Sequence, residues 1–115
     1  GKIKINPIEI NKTAYNNLQK LKFVEAENIS ALDYKNKEKY DLVLSKGFLI
    51  HVNPNKLNNI YKNLFNSCKL NGYIDFAGEI IKIFKKKIKL IDYGFVYHKD
   101  KYPQGDLTWF LLQKK

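Results

Sequence analysis

Arginine and methionine are absent from this chain, and cysteine and tryptophan occur once each. The lone thiol, Cys68, rules out an internal disulfide and any metal site built from several cysteines. It fits a reducing, cytoplasmic setting. Without arginine the chain lacks the preferred side chain for bidentate phosphate and guanine contacts. No apolar run approaches the ~20 residues needed to cross a bilayer, and no signal-peptide pattern opens the sequence. Acidic residues are also scarce: 11 stand against 21 lysines, for a net charge of +10.

What is present is enough for one packed domain. The 115 residues are 44% hydrophobic and 14% aromatic, too apolar for a disordered tail, and are read as a single domain over residues 1–115. The lysines sit among abundant asparagine and isoleucine, the mixture an AT-rich coding sequence produces. Roughly half of the positive excess is therefore read as solvated surface, and the remainder as a steering field for an anionic small molecule. The missing arginine argues against a nucleic-acid partner.

The chain is organised around Tyr40 to Pro54, YDLVLSKGFLIHVNP. An apolar run bounded by turn residues suits a strand covered on both faces, here Asp41 to Ser45. Such strands build parallel sheets that bind ligands at their carboxyl ends, where Ser45, Lys46, Gly47 and His51 lie. Upstream, Lys2 to Ile10 reads as a short strand interrupted by Pro7. Lys12 to Lys22 reads as a helix of about three turns capped by Asn11, and Phe23 to Ala26 as a second strand. Ile29 and Leu32 anchor the polar connection from Asn28 to Lys39.

Downstream, a helix starts at Pro54 or Asn55, presents Leu57, Ile60, Tyr61, Leu64 and Phe65 on one face, and ends near Cys68. Asn71-Gly72 reads as a turn, and Tyr73-Ile74 is too short for a clear strand. Asp75 to Lys86 reads as a second amphipathic helix capped by Asp75, with Lys85 to Lys87 complementing its C-terminal dipole. Lys89 to Tyr97 and Leu107 to Gln113 read as an antiparallel pair. No internal repeat or linker interrupts the order.

The segments IEINKTA, YDLVLSKGFLIHVNP, DFAGE and LIDYGFVYHKDKYPQGDLTWFLLQKK resemble the later part of class I S-adenosylmethionine-dependent methyltransferases. They are similar, more narrowly, to the methylase family associated with pseudaminic acid biosynthesis. The resemblance runs from Ile5 to Lys115 and is most specific in the terminal stretch. It implies an α/β, Rossmann-like sheet, mostly parallel, with a C-terminal antiparallel hairpin. The sheet is expected to be incomplete at its N-terminal side, because the family's glycine-rich loop precedes the first strand seen here. The family's segment between NSCKLNGYI and DFAGE is also absent.

The resemblance also implies roles. Glu9, closing the first strand, would hold the ribose hydroxyls of S-adenosylmethionine; its competing reading is a solvated carboxylate beside a helix N-terminus. Ser30 and Ala31 would meet the adenine, or form an ordinary loop. Ser45, Lys46 and Gly47 would line the reactive end of the cofactor, although Gly47 also suits a plain turn. His51 would be the base that takes the acceptor's proton, or a hydrogen-bonded structural histidine. His98 lies in the terminal loop and reads as a surface residue. Tyr93, Phe95, Tyr97, Trp109 and Phe110 admit a base-stacking reading, but suit cross-strand packing better.

Two functions are compatible with these features, and a nucleic-acid binder is a third, which the lysine excess supports and the missing arginine counts against. One is methyl transfer to a nonulosonic-acid-type sugar or its nucleotide. The other is a non-catalytic methyltransferase-fold chain that binds an anionic ligand or a partner, the partner being a second copy or a complementing chain that pairs with an open strand edge. No membrane partner is expected.

Overall fold

A computed structural model describes residues 3–45, 52–76, 83–96 and 107–115. They form two compact units, residues 1–34 and 35–115.

In the first unit, two extended segments run parallel and meet at Ile5–Val24 and Ile8–Glu27. The Ile5 amide donates to Phe23 (3.2 Å), and the Glu9 amide donates to Glu27 (2.9 Å). The amides of Glu25 and Glu27 donate back to Ile5 and Pro7, both at 2.9 Å. The residue whose amide would continue this alternation is Pro7, which has no N–H. The ladder is thus split into two bridges. Helix α1 spans Lys12–Leu18. Asn11 caps it as expected, its side chain accepting the Ala14 amide at 3.0 Å. The helix is shorter than its apolar spacing predicts. It stops at Gln19, and Leu21 is exposed, because the chain turns back at residues 19–23 to enter the second extended segment.

The second unit is built from β1 (Tyr40–Leu44), α2 (Pro54–Ser67), β2 (Cys68–Phe76), β3 (Ile88–Val96) and β4 (Leu107–Lys114). The sheet order is β1-β2-β4-β3. It is mixed: β1 and β2 are parallel, whereas β4 runs antiparallel to both β2 and β3. The β3–β4 pair is the expected C-terminal hairpin pairing.

Helix α2 follows its sequence signals closely. Asn53 caps it, Pro54 occupies its first turn, and Ile60, Tyr61, Leu64 and Phe65 are buried. Its end lacks the glycine that commonly closes helices. The last four carbonyls are satisfied from elsewhere instead. Ser67 Oγ donates to Leu64 (2.6 Å), and the Cys68 amide and Lys114 Nζ reach Phe65. The Glu38 and Lys39 amides donate to Asn66 (2.7 Å) and Ser67 (2.8 Å). Glu38 adopts a left-handed φ of 49°, and its amide and the next both serve the helix end.

Five expectations are corrected here. Tyr73 and Ile74 belong to a nine-residue strand, Cys68–Phe76. Asn71-Gly72 is no chain reversal but a bulge inside it, with Asn71 at φ 64° and the β1 register jumping from Tyr40↔Cys68 to Leu42↔Tyr73. Asp75 and Phe76 are strand residues, so Asp75 caps no helix; residues 77–82 of the predicted helix lie outside the described residues. Pairing on both sides, with β1 and β4, outweighs the helical periodicity of that stretch. Finally, β1 is not covered on both faces: Val43 is buried, but Leu42 and Leu44 are 54% and 58% exposed. Tyr93, expected to pack, is 57% exposed on the outer strand β3.

The bulge makes Gly72 a fixed point. A Cβ there would lie 2.8 Å from Cys68 Sγ, 2.9 Å from the Lys69 carbonyl and 3.0 Å from the Asp41 carbonyl. Two of these neighbours are backbone and cannot swing aside. Gly72→Ala should therefore cost about 2 kcal/mol, within the usual range for overpacking. Urea unfolding measures it, and an unchanged midpoint would show that the bulge relaxes freely.

Candidate cofactor site

Parallel strands leave their carboxyl ends on one side, and that side is where ligands settle in open α/β sheets. In the first unit, Glu9 lies at this end of the parallel pair. Its Oε1 accepts the Asn11 amide at 3.0 Å, which fixes the carboxylate beside the start of α1. Asn28 donates from Nδ2 to the carbonyls of Glu9 (2.8 Å) and Ile10 (3.1 Å), holding the two strand ends together where the backbone ladder stops. This role for Asn28 carries no local signal, since the residue reads as part of a polar connection.

Ser30 and Ala31 follow at the same end. Ser30 opens a tight turn: its carbonyl accepts the amides of Asp33 and Tyr34, both at 3.0 Å, and its Oγ accepts the Leu32 amide at 3.2 Å. Ala31 and Tyr34 are buried, whereas the expected anchors Ile29 and Leu32 are only half-buried. Tyr34 was missed because a lone aromatic in a lysine-rich stretch carries no periodic signal.

In the second unit, Ser45 marks the carboxyl end of β1. Its amide donates to the Asp75 carbonyl at 3.1 Å. Its Oγ is buried and has no hydrogen-bond partner among the described residues. A buried hydroxyl left without a partner is costly and calls for an explanation, such as a bound group. Asp75, read from sequence as a helix cap, stands beside Ser45 at the end of β2. Lys46, Gly47 and His51 lie outside the described residues, as does His98.

Elsewhere in this unit, burial pushes the Cys68 thiol up from its ordinary value, Lys114 lowers it and Asp41 raises it. The thiol stays protonated at neutral pH, so Cys68 is packing rather than a nucleophile. Among the described residues no group of three or more His, Cys, Asp or Glu side chains is placed to hold a metal ion, and no helix is long and apolar enough to cross a membrane.

The chain was compared with solved structures. NodS, an N-methyltransferase from Bradyrhizobium japonicum WM9 in complex with S-adenosyl-L-homocysteine, superposes with a TM-score of 0.75 at 11% identity, over 96% of this chain and 66% of that one. The 1,6-didemethyltoxoflavin-N1-methyltransferase of Burkholderia thailandensis gives 0.75 at 10% identity, over 97% and 61%. This is the class I methyltransferase fold. The [4+2]-cyclase SpnF also superposes, with a TM-score of 0.71 at 10% identity, over 97% of this chain and 66% of that one. The chain thus spans less than two-thirds of the length of each of these three structures. No protein-family model and no curated protein matches the sequence.

Proposed function

We propose that this chain is part of an S-adenosylmethionine-dependent methyltransferase acting on a small molecule, in a single methyltransferase domain and in the cytoplasm. The observation that supports it most directly is the superposition of nearly the whole chain on an N-methyltransferase that holds the demethylated cofactor. The residues present fit such a group. Glu9 offers a carboxylate at a strand's carboxyl end, and one of its oxygens is already oriented by the Asn11 amide. Ser45 offers a buried hydroxyl with no partner among the described residues.

When bound, S-adenosylmethionine supplies an electrophilic methyl group. The chain's part would be to hold and orient. Glu9 would accept from the ribose hydroxyls, Ser30 and the Ala31 amide would meet the adenine, and Ser45, Lys46 and Gly47 would line the reactive end. His51 would take the acceptor's proton. Orientation and proximity supply most of the acceleration in such a transfer. The acceptor we favour is a nonulosonic-acid-type sugar or its nucleotide. The similarity of the terminal hairpin segment supports it, and the excess of lysine suits an anionic acceptor.

Isothermal calorimetry with S-adenosylhomocysteine tests the cofactor reading. Binding should be saturable, and Glu9→Ala should weaken it by about 1–3 kcal/mol, the loss expected for a hydrogen bond to a charged group. Equal affinity in wild type and Glu9→Ala would remove Glu9 from the site. No binding at millimolar ligand would leave the second reading, a non-catalytic chain that pairs with a partner. The feature favouring that reading is β1, which lies at the outer edge of the four-stranded sheet with Leu42 and Leu44 exposed.

A further inference from the structure

The end of the sheet opposite the carboxyl ends of β1 and β2 carries two open clefts in the second unit. The first, about 350 Å³, is lined by Lys35, Lys37, Lys114, Asn63 and Asn66, with Glu38. The second, also about 350 Å³, is lined by Lys62, Lys85, Lys86 and Lys87, with Ile83 and Phe84. The two are joined through the last turns of α2. That helix places Asn63 and Asn66 in one cleft and Lys62 in the other. Between them Phe65 stacks on Phe84 at 4.1 Å and receives the Lys114 ammonium over its ring at 4.5 Å. The Lys115 amide donates to Lys87, which brings the C-terminal lysine to the same end.

We propose that this face binds the phosphate backbone of a nucleic acid without reading its sequence. Among the described residues that line the clefts, Glu38 is the only acid against seven lysines. Ammonium groups act on phosphates as point charges, and the asparagine amides add donors suited to phosphate or sugar oxygens. The absence of arginine removes the side chain best suited to bidentate contacts, and leaves phosphate binding by lysine intact. Two other polyanions fit less well. A protein partner needs an apolar centre to its interface, and a bilayer needs apolar anchors. Here Phe84 is buried, and Ile83 is the single exposed apolar residue among those lining the clefts. The proposal is independent of the cofactor reading, since it uses the other end of the sheet.

The test is fluorescence anisotropy of the whole chain with a labelled single-stranded oligonucleotide of mixed sequence. If four phosphates are contacted, affinity should fall about 50-fold between about 50 mM and 200 mM salt. Combining Lys35→Glu, Lys37→Glu, Lys62→Glu and Lys86→Glu should weaken binding at least about tenfold and flatten the salt slope. Lys114 is left intact because its ammonium is committed to the end of α2. A charge-matched control, Lys4→Glu, Lys12→Glu, Lys20→Glu and Lys22→Glu on the first unit, should keep the slope. Circular dichroism confirms that both variants fold. An equal loss in the two variants would reduce the effect to net charge and overturn the proposal. So would the absence of saturable binding at the lower salt. Tighter, face-dependent binding to phosphatidylserine vesicles or to polyglutamate would overturn it as well.

Discussion

Leu112→Ala should lower the free energy of unfolding by about 3–4 kcal/mol, in the middle of the range for leucine truncation in a packed core. Leu112 sits on β4, which is paired on one side with β2 and on the other with β3. It is 1% exposed, and its partner across β2 is Ile74, which is fully buried. Paired residues on antiparallel strands project to the same face, so the two side chains fill one volume. β4 is held on both edges, so its backbone cannot follow a missing side chain inward, and a cavity is left. Guanidinium unfolding checks the prediction. A loss under about 0.5 kcal/mol, the size of an ordinary surface substitution, would place Leu112 outside the core. Ile74→Ala should cost a similar amount, and the double variant should depart from additivity by at least about 0.5 kcal/mol.

The second large effect is expected at Lys114. Its ammonium donates to the carbonyls of Phe65 (3.1 Å) and Cys68 (2.9 Å), and the side chain is buried. A cation at a helix C-terminus is favoured by the dipole, and these carbonyls have left water to meet it. Lys114→Met keeps an apolar stem and removes the donor. The relief of burying no charge works against the loss, but unsatisfied carbonyls cost more, so the net should be about 2 kcal/mol destabilising. Lys114→Glu sets a carboxylate against two acceptors at the negative end of α2 and should cost about 4 kcal/mol, comparable to breaking a buried charge pair. The order wild type, Met, Glu in thermal midpoint is the decisive readout. Equal midpoints for wild type and Lys114→Met would show that the two hydrogen bonds contribute nothing net.

Lys114 also shows where local reading stops. In LLQKK it is one of two terminal lysines, and nothing nearby distinguishes it from a solvated tail. Its burial follows from β4 ending beside the C-terminus of α2, a contact between residues 46 and 49 positions apart in sequence. The candidate site divides in the same way. That Glu9 and Ser30 follow extended segments is a local pattern, whereas their part in a cofactor site is implied by the resemblance alone. The bracing of Glu9 by Asn28 is not local, because it spans 19 positions.

By itself the sequence determined the elements whose signals are short-range. Asn53, Pro54 and the apolar stripe of α2 specify that helix from within, as Asn11 does the start of α1 and the apolar runs the strands β3 and β4. Tertiary structure decided what non-local pairing controls. It made Cys68–Phe76 a strand through β1 and β4, and turned Asn71-Gly72 from a reversal into a bulge. It placed β1 at the outer edge of the four-stranded sheet. It also gathered lysines 35, 37, 62, 85–87 and 114 at one end of the fold. Helix signals lie within a few residues of each other along the chain. A strand's hydrogen bonds and a surface's charge come from partners far away in sequence, so only the folded chain brings them together.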